Sequence, residues 1–290
     1  MKNYYMIHER ENNIQYGLNT SVILYYFYKE HIFSQLTIFS KYIVQITVPP
    51  NVQIDQHNIK VVKNGKETIQ YSSNEIIVNS KEKLTPEIIK FLIKEGADPN
   101  IEHCSILTWA ARYGYIDLVK YLLPLIDMTL NKDEALQAAV KYNHIDVIKL
   151  LLPLIDKTHI TFRWCYYYPS KYGYIEMLKQ FLPIEISYKR NNYYNLILAT
   201  ETAIRNGQLG IIKTLIPFIK QIDSKNFKRF LKFAIKYRYP EIIKEFLTIT
   251  DIDNDIIKYC NIYCKSDEII NIVLSYKKNK KSKKKIAKNI

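Results

Sequence analysis

RYGYIDLVKYLLPLID, residues 112–127, returns twenty-nine residues later as KYNHIDVIKLLLPLID at 141–156. A phrase of that length, repeated at that distance, copies either a structural unit or a binding surface. Working outward, an acidic residue, two apolar residues and a lysine recur as Glu87-Ile-Ile-Lys90, Asp117-Leu-Val-Lys120, Asp146-Val-Ile-Lys149, Glu176-Met-Leu-Lys179 and Glu241-Ile-Ile-Lys244. Gly210-Ile-Ile-Lys213 lacks the acid and Glu268-Ile-Ile-Asn271 lacks the lysine. The steps are 30, 29, 30, 34, 31 and 27 residues, which is a period.

Each copy has helical spacing. Ile116, Val119, Leu122 and Leu123 share one face while Asp117 and Lys120 point outward. The acid near the helix start and the lysine a turn later suit the macrodipole and each other. Pro124, Pro153, Pro183 and Pro217 follow at equivalent places, and a proline there is expected to end the helix. Upstream of each copy lies a shorter apolar segment: ILTWAAR at 106–112, ALQAAVK at 135–141, FRWCYYYPSK at 162–171, LILATETAIR at 196–205 and FLKFAIK at 230–236. Ala110, Ala111, Ala138 and Ala139 are small where two helices would approach closely. Gly114, Asn143, Gly173 and Gly207 come next, at the residue expected to take the left-handed cap conformation. Each unit reads helix, capped turn, helix.

A period near 30–33 with paired antiparallel helices points to an ankyrin-type solenoid. IKEGADPNIEHCSILTWAARYGYIDLVKYLL, 93–123, resembles one nearly complete ankyrin repeat, with GADPN in the turn and AARYG followed by LVKYLL through the helices. Ser105-Ile-Leu-Thr108 stands where the family has Thr-Pro-Leu-His, which weakens the capping hydrogen bonds the resemblance implies. Later units carry PLID in place of the Gly-Ala-Asp turn and depart from the family's β-finger loop. The resemblance covers roughly 84–276, about six repeats with the first and last partial, and places second helices near 87, 117, 146, 176, 210, 241 and 268.

Residues 1–83 do not fit the period. Their β-branched and aromatic runs, ILYYFYK at 23–29, YIVQITVPP at 42–50, IKVV at 59–62, TIQYS at 68–72 and EIIVNS at 75–80, are separated by turn formers including Asn64-Gly65. The fold class expected is mainly α: a helical solenoid behind a small strand-containing cap, with a disordered basic tail at 277–290. The order of QYGLNT, LYYFYK, SKYIVQITVPPN, KVVKNG and NEIIVNSKEKLT before repeats is similar to ankyrin-repeat proteins of giant amoeba-infecting viruses of the Mimivirus type. That likeness implies a viral protein acting on host or viral partners.

The 290 residues are 48% hydrophobic, enough for an ordered core. The net charge of +14 is uneven, because the last fourteen residues, KKNKKSKKKIAKNI, hold eight lysines and no acid. Such a run repels itself and is expected to be a disordered arm, either a solvated terminus or a contact for nucleic acid, anionic lipid or a nuclear import receptor. MKNYYMIHERENN lacks the apolar stretch of a signal peptide, and VILYYFY at 22–28 is too short for a membrane span. Four cysteines without scaffold spacing fit a reducing compartment, host cytoplasm or nucleus.

Catalytic motifs are missing: no GxGxxG, Walker A, GxSxG or HExxH occurs, and seven glycines leave little room for phosphate-cradling loops. Asp251, Asp253 and Asp255 imitate the start of a calcium loop, but Ile256 stands where its Gly belongs, so turn and capping roles are expected. Cys260 and Cys264, His103-Cys104, His144 and His159 do not make up a zinc set. LPIEI at 182–186 resembles an F-box opening, yet occupies the repeat's own LLPLID slot. Trp109 and Trp164 are expected to pack inward, and Tyr166-Tyr-Tyr168 to face solvent in part. No catalytic, cofactor or metal residue is nominated.

One column remains. The pairs that end the first helices are Arg112-Tyr113, Lys141-Tyr142, Lys171-Tyr172, Arg205-Asn206 and Lys236-Tyr237. Every pair starts with a cation and four of the five end in tyrosine, so stacked repeats would align them as a basic, aromatic stripe. The helix dipole alone favours a cation there by about 0.3–1 kcal/mol. The functional expectation is a monomeric, non-enzymatic scaffold whose stripe engages an acidic protein surface; the alternative is nucleic-acid or anionic-surface binding through tail and stripe.

Overall fold

A computed structural model describes residues 4–8, 17–27, 33, 40–48, 50, 52–60, 67–100, 105–127, 132–155, 163–188, 193–220, 224–250, 252–264 and 266–286. They form two compact units, Met1–Ile155 and Asp156–Ile290.

The first unit opens with five antiparallel strands: β1 (Tyr4–His8), β2 (Gly17–Phe27), β3 (Tyr42–Thr47), β4 (Asp55–Lys60) and β5 (Glu67–Lys83). β5 organises the sheet. Its first part pairs with β4 from Glu67 to Ser72, its last part with β3 from Ile77 to Lys83, and its other edge with β2. Because β1 joins β2 to β3, the strands β1, β3, β5 and β2 close into a ring that leaves few open edges. Val44 and Ile46, on one face of β3, are fully buried. The runs 68–72 and 75–80, read as separate strands, belong to one seventeen-residue strand. Asn64-Gly65 lies outside the described residues.

Helices follow in the same unit: α1 (Pro86–Lys94), α2 (Ser105–Tyr113), α3 (Ile116–Leu122), α4 (Lys132–Lys141) and α5 (Ile145–Leu151). The start of α1 shows the local logic. Thr85 accepts a hydrogen bond from the Ile88 N–H, Pro86 occupies the first turn where its missing N–H costs nothing, and Glu87 adds charge at the positive end. First helices stack on first helices and second on second, α2 on α4 and α3 on α5. Ala110, Ala111 and Ala139 are fully buried at that approach, and Ala138 nearly so.

The second unit holds four more pairs: α6 (Arg163–Tyr172) with α7 (Ile175–Tyr188), α8 (Tyr194–Arg205) with α9 (Leu209–Ile219), α10 (Ser224–Tyr237) with α11 (Pro240–Ile249), and α12 (Asn254–Tyr263) with α13 (Asp267–Ile286). Here too α6, α8, α10 and α12 stack in sequence, as do α7, α9, α11 and α13. The last repeat, expected to be partial, has both helices. Asp253 takes the capping role expected of DIDNDI: it caps α12 by accepting the Ile256 N–H at 2.9 Å. The backbone of α13 stays helical to Ile286, within the segment 277–290 expected as a disordered arm.

Two prolines correct the sequence reading. Pro124 lies beyond α3 and Pro153 sits in a short 3-10 turn after α5, but Pro183 and Pro217 are inside α7 and α9. LPIEI at 182–186 is accordingly mid-helix. In every case the carbonyl four residues earlier belongs to the exposed lysine of the repeated motif: Lys120, Lys149, Lys179 and Lys213. These lysines are on the solvent side of the helix, where water can take up an acceptor deprived of its partner, so the helix can continue where further apolar burial rewards it, as at fully buried Ile219.

Candidate functional site

The turns joining the first five helix pairs share one regular feature. Gly114, Asn143, Gly173, Gly207 and Arg238 all have left-handed backbone, with φ of 72°, 65°, 79°, 68° and 60°. The residue after each donates its N–H to a carbonyl five back: Tyr115 to Ala110, His144 to Ala139, Tyr174 to Pro169, Gln208 to Ala203 and Tyr239 to Ala234, at 2.9–3.2 Å. This is the Schellman closure of a helix C-terminus. It aims the preceding two residues, the candidate pairs, the same way in each repeat.

The side chains after three of these caps reach back to the preceding repeat. His144 Nε2–H donates to the Arg112 carbonyl at 2.7 Å, since a carbonyl only accepts. Gln208 Nε2 donates to the Lys171 carbonyl at 3.2 Å, and the Tyr239 ring lies over Gly207. A Cβ on Gly114 would sit 2.4 Å from His144 Nδ1. His144, considered in the sequence only as a metal ligand, is a clasp between repeats.

Within the first unit, Arg112 lies 4.0 Å from the Tyr142 ring centroid and donates to the Tyr142 hydroxyl, while Lys141 approaches the same ring at 5.5 Å. Tyr113 also lies within reach of Arg112, whose guanidinium is 5.8 Å from its ring centroid. The Tyr113 ring turns to Trp109 and Tyr115, with centroids 5.1 and 5.9 Å away. Within the second unit, Lys171 lies 5.0 Å from the Tyr172 ring and 5.8 Å from Tyr167. A hydrogen bond to Tyr172, and then the neighbouring Tyr167, hold its ammonium above the usual lysine value. Tyr172 also stacks on Tyr168 and meets Tyr174 at a tilt. Arg205 shares the Phe233 ring with Arg229. Asn206 folds back to the Thr202 carbonyl of its own helix, whereas Lys236 and Tyr237 are exposed. Except at Lys236, the cations at the ends of the first helices rest on aromatic faces, an attraction of about 0.5–1 kcal/mol at exposed sites.

On the opposite helices the motif's ion pairs form as i,i+3 contacts, Lys120–Asp117, Lys149–Asp146, Lys179–Glu176 and Lys244–Glu241, at 2.6–3.9 Å and all exposed. Gly210 stands where an acid would, and a Cβ there would meet the movable end of Ile175, its Cδ1, at 2.6 Å. Lys213 pairs with Glu245 of α11 instead.

Trp109 is buried and its indole N–H donates to the Ser40 carbonyl at 2.8 Å, tying α2 to the strand region. Ser105 does likewise with the Phe33 carbonyl. Trp164 is only half-buried, and the inward position is taken by Tyr166, whose hydroxyl donates to the Phe181 carbonyl; Tyr167 is exposed. Among the described residues no three His, Cys, Asp or Glu side chains group as metal ligands, and no helix is long and apolar enough to cross a membrane. His103, Cys104 and His159 lie outside them. Cys260 is buried, and its thiol is pushed up to about 11 by burial and by Cys264.

Residues 76–161 match the family model of ankyrin repeats in three copies. Residues 76–161 carry ankyrin repeats. No curated protein matches the chain. The matched stretch runs from β5 through α5, where GADPN is intact. In that turn Asn100 shows how PLID serves the ankyrin stack. Its side-chain amide donates to the Leu125 carbonyl and accepts the Asp127 N–H at 2.6 Å, so the second repeat's turn is held by the first's asparagine. Ankyrin repeats are generally protein–protein interaction scaffolds.

Proposed function

We propose that this protein is a non-enzymatic ankyrin scaffold that binds an acidic protein surface through the ends of its first helices. The observation that carries the reading is the seating of Arg112, Lys141, Lys171 and Arg205 on aromatic rings. A cation held this way has given up part of its rotamer freedom before a partner arrives, which lowers the cost of ordering it at an interface. Tyrosine beside it supplies contact area, and exposed Tyr172 and Tyr237 are positioned to do so. The similarity of residues 1–83 and their order to viral ankyrin proteins supports a viral protein acting in host cytoplasm, with the lysine-rich segment 277–290 as a nuclear address.

The test replaces Arg112, Lys141, Lys171, Arg205 and Lys236 with Gln and measures affinity capture at two salt concentrations, with and without residues 277–290. Loss of a nuclease-resistant partner at unchanged helicity supports the scaffold. Unchanged capture refutes it. Capture that depends on the tail and is abolished by nuclease assigns the chain to nucleic acid instead.

A further inference from the structure

The first unit contains a cleft of about 350 Å³ between its strand region and its first complete helix pair. Trp109 closes the floor, Tyr42, Tyr113 and Tyr115 form the walls, and Lys41 and Lys83 stand at the mouth. Both lysines are exposed, and they come from directly neighbouring chain: Tyr42 pairs with Lys83 across β3 and β5, and the Leu84 N–H donates to the Lys41 carbonyl at 2.7 Å. Two more cations back the walls, Lys81 at 5.2 Å from the Tyr42 ring and Arg112 at 5.8 Å from Tyr113. No acid lines the cleft among the described residues. Glu87 acts only from beyond Tyr115, whose hydroxyl is pushed up first by burial, then by Tyr113 and Glu87, and so stays a neutral donor.

We infer that this cleft takes one aromatic side chain of an acidic peptide, with flanking carboxylates on Lys41 and Lys83. Tilted rings at centroid distances of 5.1 and 5.3 Å around Trp109 present both faces and edges, the surroundings another ring prefers. The volume is at the lower end for ligand pockets and suits one large side chain with its backbone. Four surrounding cations exclude a cationic occupant such as methyl-lysine. A nucleotide phosphate would want converging N–H groups, but the Leu84 N–H is already spent on Lys41 and the Ser40 carbonyl is filled by Trp109. That the occupant is a peptide rests on the protein-binding reading above; the location and charge of the cleft do not.

The test uses the full chain carrying Trp164→Phe, which leaves Trp109 as the single tryptophan. Acetyl-Glu-Glu-Tyr-Glu-Glu-amide is titrated, followed by Trp109 emission and calorimetry. Saturable binding is expected that weakens at least about tenfold in Lys41→Glu/Lys83→Glu and in raised salt, and less in Lys41→Gln/Lys83→Gln. The peptide with Ala for Tyr should not saturate. Absent binding, equal binding of the Ala peptide, or tighter binding of adenosine monophosphate overturns the inference. A variant with Gln at Lys141, Lys171, Arg205 and Lys236 leaves the cleft untouched. If that variant loses partner capture while the wild-type cleft ignores peptide, only the cleft inference falls. If it keeps capture while the cleft binds peptide, only the stripe reading falls.

Discussion

Replacing Gly114 with Ala separates two costs that coincide at one atom. Its φ of 72° is a conformation an alanine adopts at about 1–2 kcal/mol. The new Cβ would also lie 2.4 Å from His144 Nδ1, and the ring cannot swing away without losing its hydrogen bond to the Arg112 carbonyl, a further cost of about 1–2 kcal/mol. Gly96 provides the comparison: φ is 104°, and nothing lies within 4 Å of its Cβ position. Gly96→Ala should thus cost the backbone part alone, and Gly114→Ala about 2–4 kcal/mol. In a His144→Ala background the cost of Gly114→Ala should drop to the backbone part. Urea denaturation followed by Trp109 emission in the Trp164→Phe chain reports the unit that holds all these residues, with the slope checked for constancy. Equal costs of Gly114→Ala with and without His144 would refute the clasp.

Arg238→Gly removes a left-handed arginine at φ 60° and should stabilise the second unit by up to about 1 kcal/mol, read as a raised urea midpoint. Asp253 is held below the ordinary aspartate value, first by Lys228 at 2.6 Å and then by the Ile256 N–H. A lowered folded value means its contribution is complete above the unfolded pKa and is lost below about pH 4, so Asp253→Asn should flatten acid denaturation there. Asp253→Ala, which removes the cap, should cost about 1 kcal/mol at pH 7. Cys260, with its thiol near 11, should resist iodoacetamide in the folded chain at pH 8 and react on unfolding, as mass spectrometry would show; rapid native labelling would contradict its burial.

The repeat was legible because its motif puts two kinds of information at one spacing: Asp117 and Lys120 mark the solvent face and Val119 and Leu122 the buried one, although Leu118 is buried there while Ile116 and Leu123, expected on that face, are half-buried. The caps were legible wherever Gly or Asn occupied them. Arg238 carries no such signal, and only the structure shows it in the same column. Pro183 and Pro217 differ from Pro124 and Pro153 although all four free the carbonyl of an exposed lysine, so the spacing of the proline alone does not say whether the helix continues. Tyr113, a member of the stripe by spacing, keeps Arg112 within reach and also packs on Trp109 and Tyr115, an aromatic cluster that spacing does not show. The cleft was invisible in the sequence, since it joins Lys41 and Tyr42 to a helix pair lying some seventy residues further on.

The clasps also limit how such a chain can be rebuilt. His144 fits against Gly114, Gln208 against Gly173 and Tyr239 against Gly207, each pair drawn from consecutive repeats. A repeat ending in Asn143 presents a Cβ where one ending in Gly114 presents none. The near-identical phrases at 112–127 and 141–156 are therefore not exchangeable parts. Duplicating or shuffling one repeat would put a side chain against a cap that has no room for it, so recombination that keeps the period would still have to carry each cap together with the first residue beyond the next one.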